Sequence, residues 1–247
     1  MNVTEIFKKS FQDFKSPYFL GLSLLPFLVV LVLFGYLWFG FGGEWLAHAQ
    51  ASMDAGQVPF LDAQEHPWLT AILSFSLFKW LFTFFFYLVG LVAVVLFSVV
   101  IAAVVIGFFT PAIVKKIQKR HYPDFRLEGD KFTLMASIPY YLKTGIVFVL
   151  LGLVALPLMF IPAVNFVAIH IPFYYLFHNF MLLDVGSNIL DPKRYRAIVK
   201  RYRGLFRTTT LTLYAISLIP VAGLFLQVYY VIVVAHEFFQ KAIEEQG

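Results

Sequence analysis

Three histidines, His170, His178 and His236, lie in stretches of the chain that are otherwise almost entirely apolar. An imidazole can relay a proton, ligate a metal ion or haem, or donate a hydrogen bond. Polar groups inside a membrane are costly and often functional. His170 lies near the middle of its segment, whereas the other two lie near segment ends, where they can instead hydrogen-bond a loop or cap carbonyl groups. We therefore treat all three as candidates to line a path, with the hydrogen-bonding role left open.

His178 and His236 also end two copies of one pattern. Each copy starts at an Ile-Pro pair and ends, at the same distance, in His-x-Phe: residues 161–180 and residues 219–238. Proline removes a backbone donor and breaks a helix, and broken backbone at membrane depth must be shielded by protein or line a wet cavity. The pattern predicts two helical hairpins whose tips contribute further candidates to the path: Pro162, Asn165, Pro220 and Gly223.

The composition is that of a membrane protein. Of the 247 residues, 60% are hydrophobic and 13% are charged, against about a quarter charged in an average soluble domain. A helix needs about 20 apolar residues to cross a bilayer. The chain has no cysteine, which excludes disulfides and thiolate sites. Runs without charge that are long enough to cross cover residues 18–41, 80–114, 144–183 and 208–235.

The distribution of positive charge predicts the topology. Lysines precede the first apolar run within residues 1–17, whereas residues 42–66 contain acids and no Lys or Arg. Two later stretches, 115–143 and 193–207, contain seven Lys or Arg residues each and overlap the predicted basic segments 121–143 and 185–207. Since Lys- and Arg-rich short loops stay cytoplasmic, we expect the N-terminus inside and 42–66 outside. The basic segments either hold topology by contacting anionic lipid or guide anions toward a cytoplasmic opening.

These constraints predict an all-α integral membrane protein with two long transmembrane helices and two re-entrant hairpins. An amphipathic leader (1–17) precedes a first crossing (18–41), the external loop and one long helix (67–120), bent near Gly107 or Pro111. Hairpin 1 covers 144–184 and hairpin 2 covers 208–240. Two alternatives remain open. In the first, a turn near Gly90 divides the long helix into two packed crossings. In the second, residues 208–235 form one proline-kinked crossing instead of a hairpin.

The order of these elements resembles the CysZ-type sulfate permease family over nearly the whole chain. The resemblance rests on Ser16-Pro17 before the first helix, Leu25-Pro26-Phe27 within it, and residues 108–112, Phe-Phe-Thr-Pro-Ala, in the second. The two Ile-Pro hairpins and a His-Glu-Phe-Phe end complete it. Membership implies sulfate uptake through the bacterial cytoplasmic (inner) membrane, half-penetrating hairpins and a homo-oligomer.

The resemblance also implies an anion site at the start of the first helix. Helix N-termini offer free N–H groups and the positive end of a dipole. In the family, a glycine and a pair of arginines after the proline meet the sulfate; here Tyr18 stands at the glycine and Leu20 and Gly21 stand at the arginines. The candidate anion site therefore consists of Lys15, Ser16, Pro17, Tyr18, Phe19, Leu20 and Gly21.

We therefore expect a permease or channel for an inorganic anion such as sulfate, with membrane lipids and further copies of the chain as partners and no nucleic acid. The sequence carries none of the common hydrolase, phosphate-loop or zinc-protease motifs, so we expect no catalytic residue, no metal site and no cofactor. One alternative is a non-transporting scaffold or lipid-interacting protein with this architecture. Another is a haem- or metal-binding membrane protein that uses His170, His178 or His236.

Overall fold

The structure, a computed structural model, describes residues 3–54, 76–129, 132–162, 164–219 and 222–246. Every regular element in these ranges is a helix, which confirms the all-α prediction. In chain order the helices are α1 (Val3–Phe14), α2 (Pro17–Asp54), α3 (Ser76–Phe108), α4 (Thr110–His121), α5 (Leu134–Leu158), α6 (Val164–Gly186), α7 (Pro192–Arg201), α8 (Arg203–Ser217), α9 (Ala222–Phe225) and α10 (Gln227–Glu244).

Four of these helices are long and apolar enough to cross a membrane: α2, α3, α5 and α6. The first, α2, has 38 residues, or about 57 Å at 1.5 Å per residue. It continues to Asp54, beyond the predicted end at residue 41, because residues 44–53 are rich in Leu, Ala, Gln and Met, which favour helix. The first part of the predicted external loop is therefore helical, and residues 55–66 lie outside the described ranges.

The predicted long second helix is divided at Phe109 into α3 and α4. Pro111 occupies the first turn of α4, where its missing N–H is not needed. The bend thus falls between the two positions that the sequence indicated, Gly107 and Pro111. No turn interrupts α3 at Gly90, so the described chain shows one helix there rather than two packed crossings.

Contacts divide the chain into two units, of which one comprises residues 25–104. Inside it, α2 and α3 pair through aromatic rings: Trp38 stacks on Phe86 with centroids 5.0 Å apart, and Trp45 stacks on the same ring at 5.4 Å. Gln50 Nε2 donates to Thr83 Oγ1 over 2.8 Å. Gly90 lies so close to Trp38 that any Cβ would overlap the indole. Ring stacking and a glycine contact therefore hold this pair together.

The other unit, residues 1–24 and 105–247, is built around α10. Every residue from Val228 to Phe239 is buried, and α1, α4, α6 and α8 pack against this helix. A helix that is apolar on all sides belongs in the centre of a protein or in lipid. Here the protein itself surrounds it, so the second arm of hairpin 2 is the core helix of its unit.

Hairpin 1 consists of α5 and α6. Ring pairs join Tyr141 to Phe180 and Phe148 to Phe173, so the two helices run antiparallel. The first arm begins at Leu134, earlier than the predicted residue 144, because Thr133 caps it by accepting from Ala136 N at 3.3 Å. With 25 and 23 residues, the arms are about 37 and 34 Å long. Both are long enough to cross, and the half-penetrating depth stays a prediction.

Hairpin 2 folds back between α8 and α10. Phe206 and Phe238 lie with ring centroids 4.7 Å apart, so the two helices are neighbours rather than halves of one kinked crossing. At the tip, buried Gly223 donates its N–H to Ile219 O over 3.0 Å. A Cβ at Gly223 would overlap the backbone of Ser217. Pro220, the other predicted tip residue, lies outside the described residues. How deeply this hairpin enters a membrane also stays a prediction.

Candidate functional site

The predicted anion-binding residues lie in the tight turn between α1 and α2 and in the first residues of α2. Ser16 N donates to Asp13 O over 2.9 Å, and Leu20 N donates to Ser16 O over 3.0 Å. Pro17 is the first residue of α2, as the sequence predicts. The first N–H groups of a helix have no acceptor within it, so this turn presents free donors together with the positive end of the α2 dipole.

Cations come to this turn from α4 rather than from α2. Lys116 Nζ lies 5.1 Å from the ring centroid of Tyr18, and both side chains are exposed. Lys15, also exposed, lies over the Phe11 ring at 4.5 Å. Phe19 is only 1% exposed and anchors the turn in the core. Lys116 was not among the predicted site residues, although its place in a basic run is a signal that the residue faces water.

The remaining two members of the predicted anion site lie further into α2. Leu20 is half-buried and packs against the core, whereas Gly21 is exposed. A Cβ built on Gly21 meets nothing within 4 Å. The two positions at which the resemblance implies arginines therefore carry no charge, and one of them faces open space.

A buried cluster of ionisable groups holds α1 on the bundle. His236 Nε2 on α10 lies 2.9 Å from Asp13 Oδ2, and His121 Nε2, at the end of α4, lies 2.8 Å from the same oxygen. Arg120 Nη1 reaches Asp13 Oδ1 at 2.9 Å. The side chain of Asp13 is 3% exposed and that of His236 is 0% exposed. We call Asp13, His121 and His236 the α1 clamp.

The two imidazoles of the clamp offset the burial of the Asp13 carboxylate. Burial, the largest single effect, would raise the pKa of the Asp13 carboxyl, but the hydrogen bonds and the charges of His236 and His121 together hold that pKa below its usual value. Burial lowers the pKa of nearby Lys9, against the attraction of Asp13. The other ring nitrogen of His236 lies 2.8 Å from Tyr122 Oη. His236, a predicted path residue, is thus enclosed by protein and bonded at both nitrogens.

His170 and His178 lie on a polar seam between α6 and α8. His170 Nδ1 lies 2.9 Å from Tyr214 Oη, and His178 Nδ1 lies 2.7 Å from Thr210 Oγ1. Between them, Tyr174 Oη donates to Arg207 O over 3.0 Å and lies 3.3 Å from Thr210 Oγ1. The seam joins hairpin 1 to hairpin 2. Both histidines thus hydrogen-bond side-chain hydroxyls of a neighbouring helix rather than a loop or a capping carbonyl. A role in lining a path stays a prediction.

The tip of hairpin 1 is exposed. Pro162 and Asn165 both face outward. Asn165 N donates to Ile161 O over 3.1 Å, and its side-chain oxygen accepts from Phe166 N at 2.7 Å. The asparagine thus satisfies backbone groups that the proline break leaves free.

Two carboxylates, buried Glu237 and half-buried Asp184, were not among the predicted site residues. Thr209 Oγ1 donates to Glu237 Oε1 over 2.9 Å, and Thr110 Oγ1 donates to Asp184 Oδ2 over 2.7 Å. The first pair joins α8 to α10 and the second joins α4 to α6. Each carboxylate therefore accepts a hydrogen bond from a threonine on a neighbouring helix.

Replacing Thr210 with valine is expected to destabilise the protein by about 1–3 kcal/mol, because His178 would lose its partner inside the seam. The matched control is Thr212→Val, since exposed Thr212 donates only to Thr208 O in its own helix. Thermal unfolding in detergent measures both variants. Equal unfolding temperatures for the two would show that the seam does not stabilise the hairpins.

One comparison with known proteins identifies a family. The family model described as "Sulfate transporter CysZ/Etoposide-induced protein 2.4" matches residues 6–226, from α1 to the tip of hairpin 2. No curated protein and no solved structure matches the chain. The matched range includes the turn before α2, the seam and both hairpin tips.

Proposed function

Because the chain belongs to the sulfate transporter CysZ/etoposide-induced protein 2.4 family, we propose that it is a permease or channel for an inorganic anion, with sulfate as the first candidate. The family is one of transporters rather than enzymes, and four apolar helices of spanning length suit a membrane transporter of this kind. We place it in the bacterial cytoplasmic (inner) membrane with the N-terminus inside. Membrane lipids surround it, and further copies of the chain complete the assembly.

The observation that carries the proposal is the approach of Lys116 to the start of α2. A divalent anion needs charge-assisted donors to replace its water. The turn offers the free N–H groups of α2, the Ser16 hydroxyl and the exposed ammonium groups of Lys15 and Lys116. The cation that the family supplies from within the helix is supplied here from α4.

The exchange of arginine for lysine has a consequence for selectivity. Arginine recognises an oxyanion with two parallel hydrogen bonds, whereas lysine acts as a point charge. A site with lysines and no arginine therefore discriminates less sharply among tetrahedral divalent oxyanions. With the N-terminus inside, the site lies at the cytoplasmic end of α2, where an anion enters or leaves the path.

Sulfate binding tests the site directly. We expect Lys116→Gln to weaken binding of radiolabelled sulfate to the purified protein in detergent by roughly ten- to a hundredfold, since a charged hydrogen bond contributes about 1.5–3 kcal/mol. Lys15→Gln is expected to act in the same direction. Lys200→Gln, a change of an exposed lysine on α7, serves as the control and leaves binding unchanged.

Equal sulfate affinity in Lys116→Gln, Lys200→Gln and the unaltered protein would contradict this placement of the site. Competition by chloride and by phosphate at constant ionic strength separates specific binding from general attraction to a basic protein. We expect phosphate to displace sulfate more effectively than chloride does, because only phosphate shares its tetrahedral shape and higher charge.

A further inference from the structure

The α1 clamp brings one carboxylate and two imidazoles together from three separate helical elements. One ligand atom from each of Asp13, His121 and His236 lies within 4.8 Å of the others. They come from α1, from the end of α4 and from α10. Two imidazoles and one carboxylate whose ligand atoms lie this close together are a donor set for first-row divalent metal ions.

We propose that the α1 clamp binds one divalent transition-metal ion of the zinc or cobalt kind. Imidazole nitrogen and carboxylate oxygen coordinate zinc at about 2.0–2.2 Å, which places two ligand atoms of a tetrahedral site roughly 3.4 Å apart. The present separations of 2.8 and 2.9 Å need to widen by only about half an ångström. The ion takes the place of the proton on each Nε2: a neutral imidazole keeps that proton by moving it to Nδ1, and a protonated imidazole releases it to solvent.

The surroundings of His236 suit a metal ligand. Tyr122 Oη lies 2.8 Å from its Nδ1, so the ring is already held in one orientation. A hydroxyl can accept as well as donate, which lets Nδ1 carry the proton while Nε2 binds the ion. Partners of this kind orient metal-binding histidines and raise their basicity. His121 is 21% exposed and gives an ion a way in.

Two cationic side chains repel a metal ion in the clamp and lower the affinity of the clamp for it. Arg120 lies 2.9 Å from Asp13 Oδ1, and its side chain is 51% exposed, so it can turn toward water when a metal binds. Lys9 also interacts electrostatically with Asp13. The site is therefore weaker than a site without competing charges, and removing Arg120 should strengthen it. A cluster that served packing alone would not respond in this way.

Binding would fasten α1 to the bundle beside the start of α2. Asp13 O accepts from Ser16 N at 2.9 Å, so the ligand residue is bonded directly to the turn before that helix. An ion in the clamp links α1, α4 and α10 and resists their separation. The inference concerns metal binding and does not depend on which anion the protein carries.

Cobalt titration tests the proposal. The protein is purified in detergent with a chelator, exchanged into chelator-free buffer and titrated with Co²⁺ while visible absorption is recorded. We expect about one equivalent to bind with d–d bands of a low-coordinate site, and the unfolding temperature to rise with occupancy. Arg120→Gln is expected to bind at least threefold more tightly, and His121→Asn at least tenfold more weakly.

The control variant is His48→Asn, since His48 is an exposed histidine on α2 and its loss should change nothing. Partly exposed His121 is altered rather than buried His236, so that the variant still folds; its unfolding temperature in chelator checks this. Absence of cobalt bands in both the unaltered protein and Arg120→Gln would overturn the proposal. Bands that persist unchanged in His121→Asn would overturn it as well.

Discussion

Replacing Asp13 with alanine is expected to destabilise the protein by about 3–5 kcal/mol, because one partner of a buried polar cluster is lost and the others are left unpaired. His236 is fully buried, and its Nε2 has Asp13 as partner. Arg120 and His121 bind the same carboxylate. The unfolding temperature in detergent should fall by roughly 6–20 °C, measured in chelator so that metal binding does not contribute.

Two further substitutions make the Asp13 result specific. Asp13→Asn keeps an acceptor oxygen. We therefore expect it to lower the unfolding temperature, but by less than Asp13→Ala does. Asp124→Ala removes an exposed carboxylate on the same unit and is expected to shift the unfolding temperature by little. An Asp13→Ala protein as stable as Asp124→Ala would mean that the clamp does not hold α1.

Replacing Gly223 with alanine is expected to open the tip of hairpin 2 at a cost of about 3 kcal/mol, the upper end for overpacking. A Cβ at this position would lie 2.8 Å from Ser217 Cα. A flexible side chain could turn aside from such a contact, but here the obstacle is backbone. The turn between α8 and α9 must therefore move.

Gly204→Ala is the matched control for this substitution. Gly204 lies in α8 of the same hairpin, and a Cβ there meets nothing within 4 Å. Since alanine favours helix over glycine, we expect a gain of up to about 1 kcal/mol. Thermal unfolding compares the two proteins. Equal stability of Gly223→Ala and Gly204→Ala would contradict the claim that the Ser217 backbone leaves no room for a Cβ at Gly223.

The sequence predicted where the helices are far better than whether each helix is surrounded by lipid or by protein. Residues 208–235 form an uncharged apolar run, and such a run is equally suited to lipid and to a protein interior. The structure packs other helices around α10, chiefly α1, α4, α6 and α8, which no property of the run itself could indicate. The break at Phe109 was easier to predict, because Pro111 acts locally on the backbone.

The candidate site could be predicted only in part, because local signals can be read from the sequence whereas contacts between distant residues cannot. Ser16 and Pro17 are local signals for the turn before α2, and the family resemblance implied an anion site there. Lys116 and His121 reach this region through tertiary packing of α4, so their roles depend on contacts between distant parts of the chain. Asp13 gave one weak signal: it shares the buried face of the amphipathic helix α1 with Ile6 and Phe14.

Sulfate flux into proteoliposomes tests the central claim most directly. Vesicles containing the purified protein are expected to take up radiolabelled sulfate faster than protein-free vesicles of the same lipid. The double variant Lys15→Gln, Lys116→Gln should lose at least nine-tenths of that excess rate, since both cations at the start of α2 are removed. Uptake no faster than in protein-free vesicles would contradict sulfate transport and favour a scaffold or lipid-interacting role.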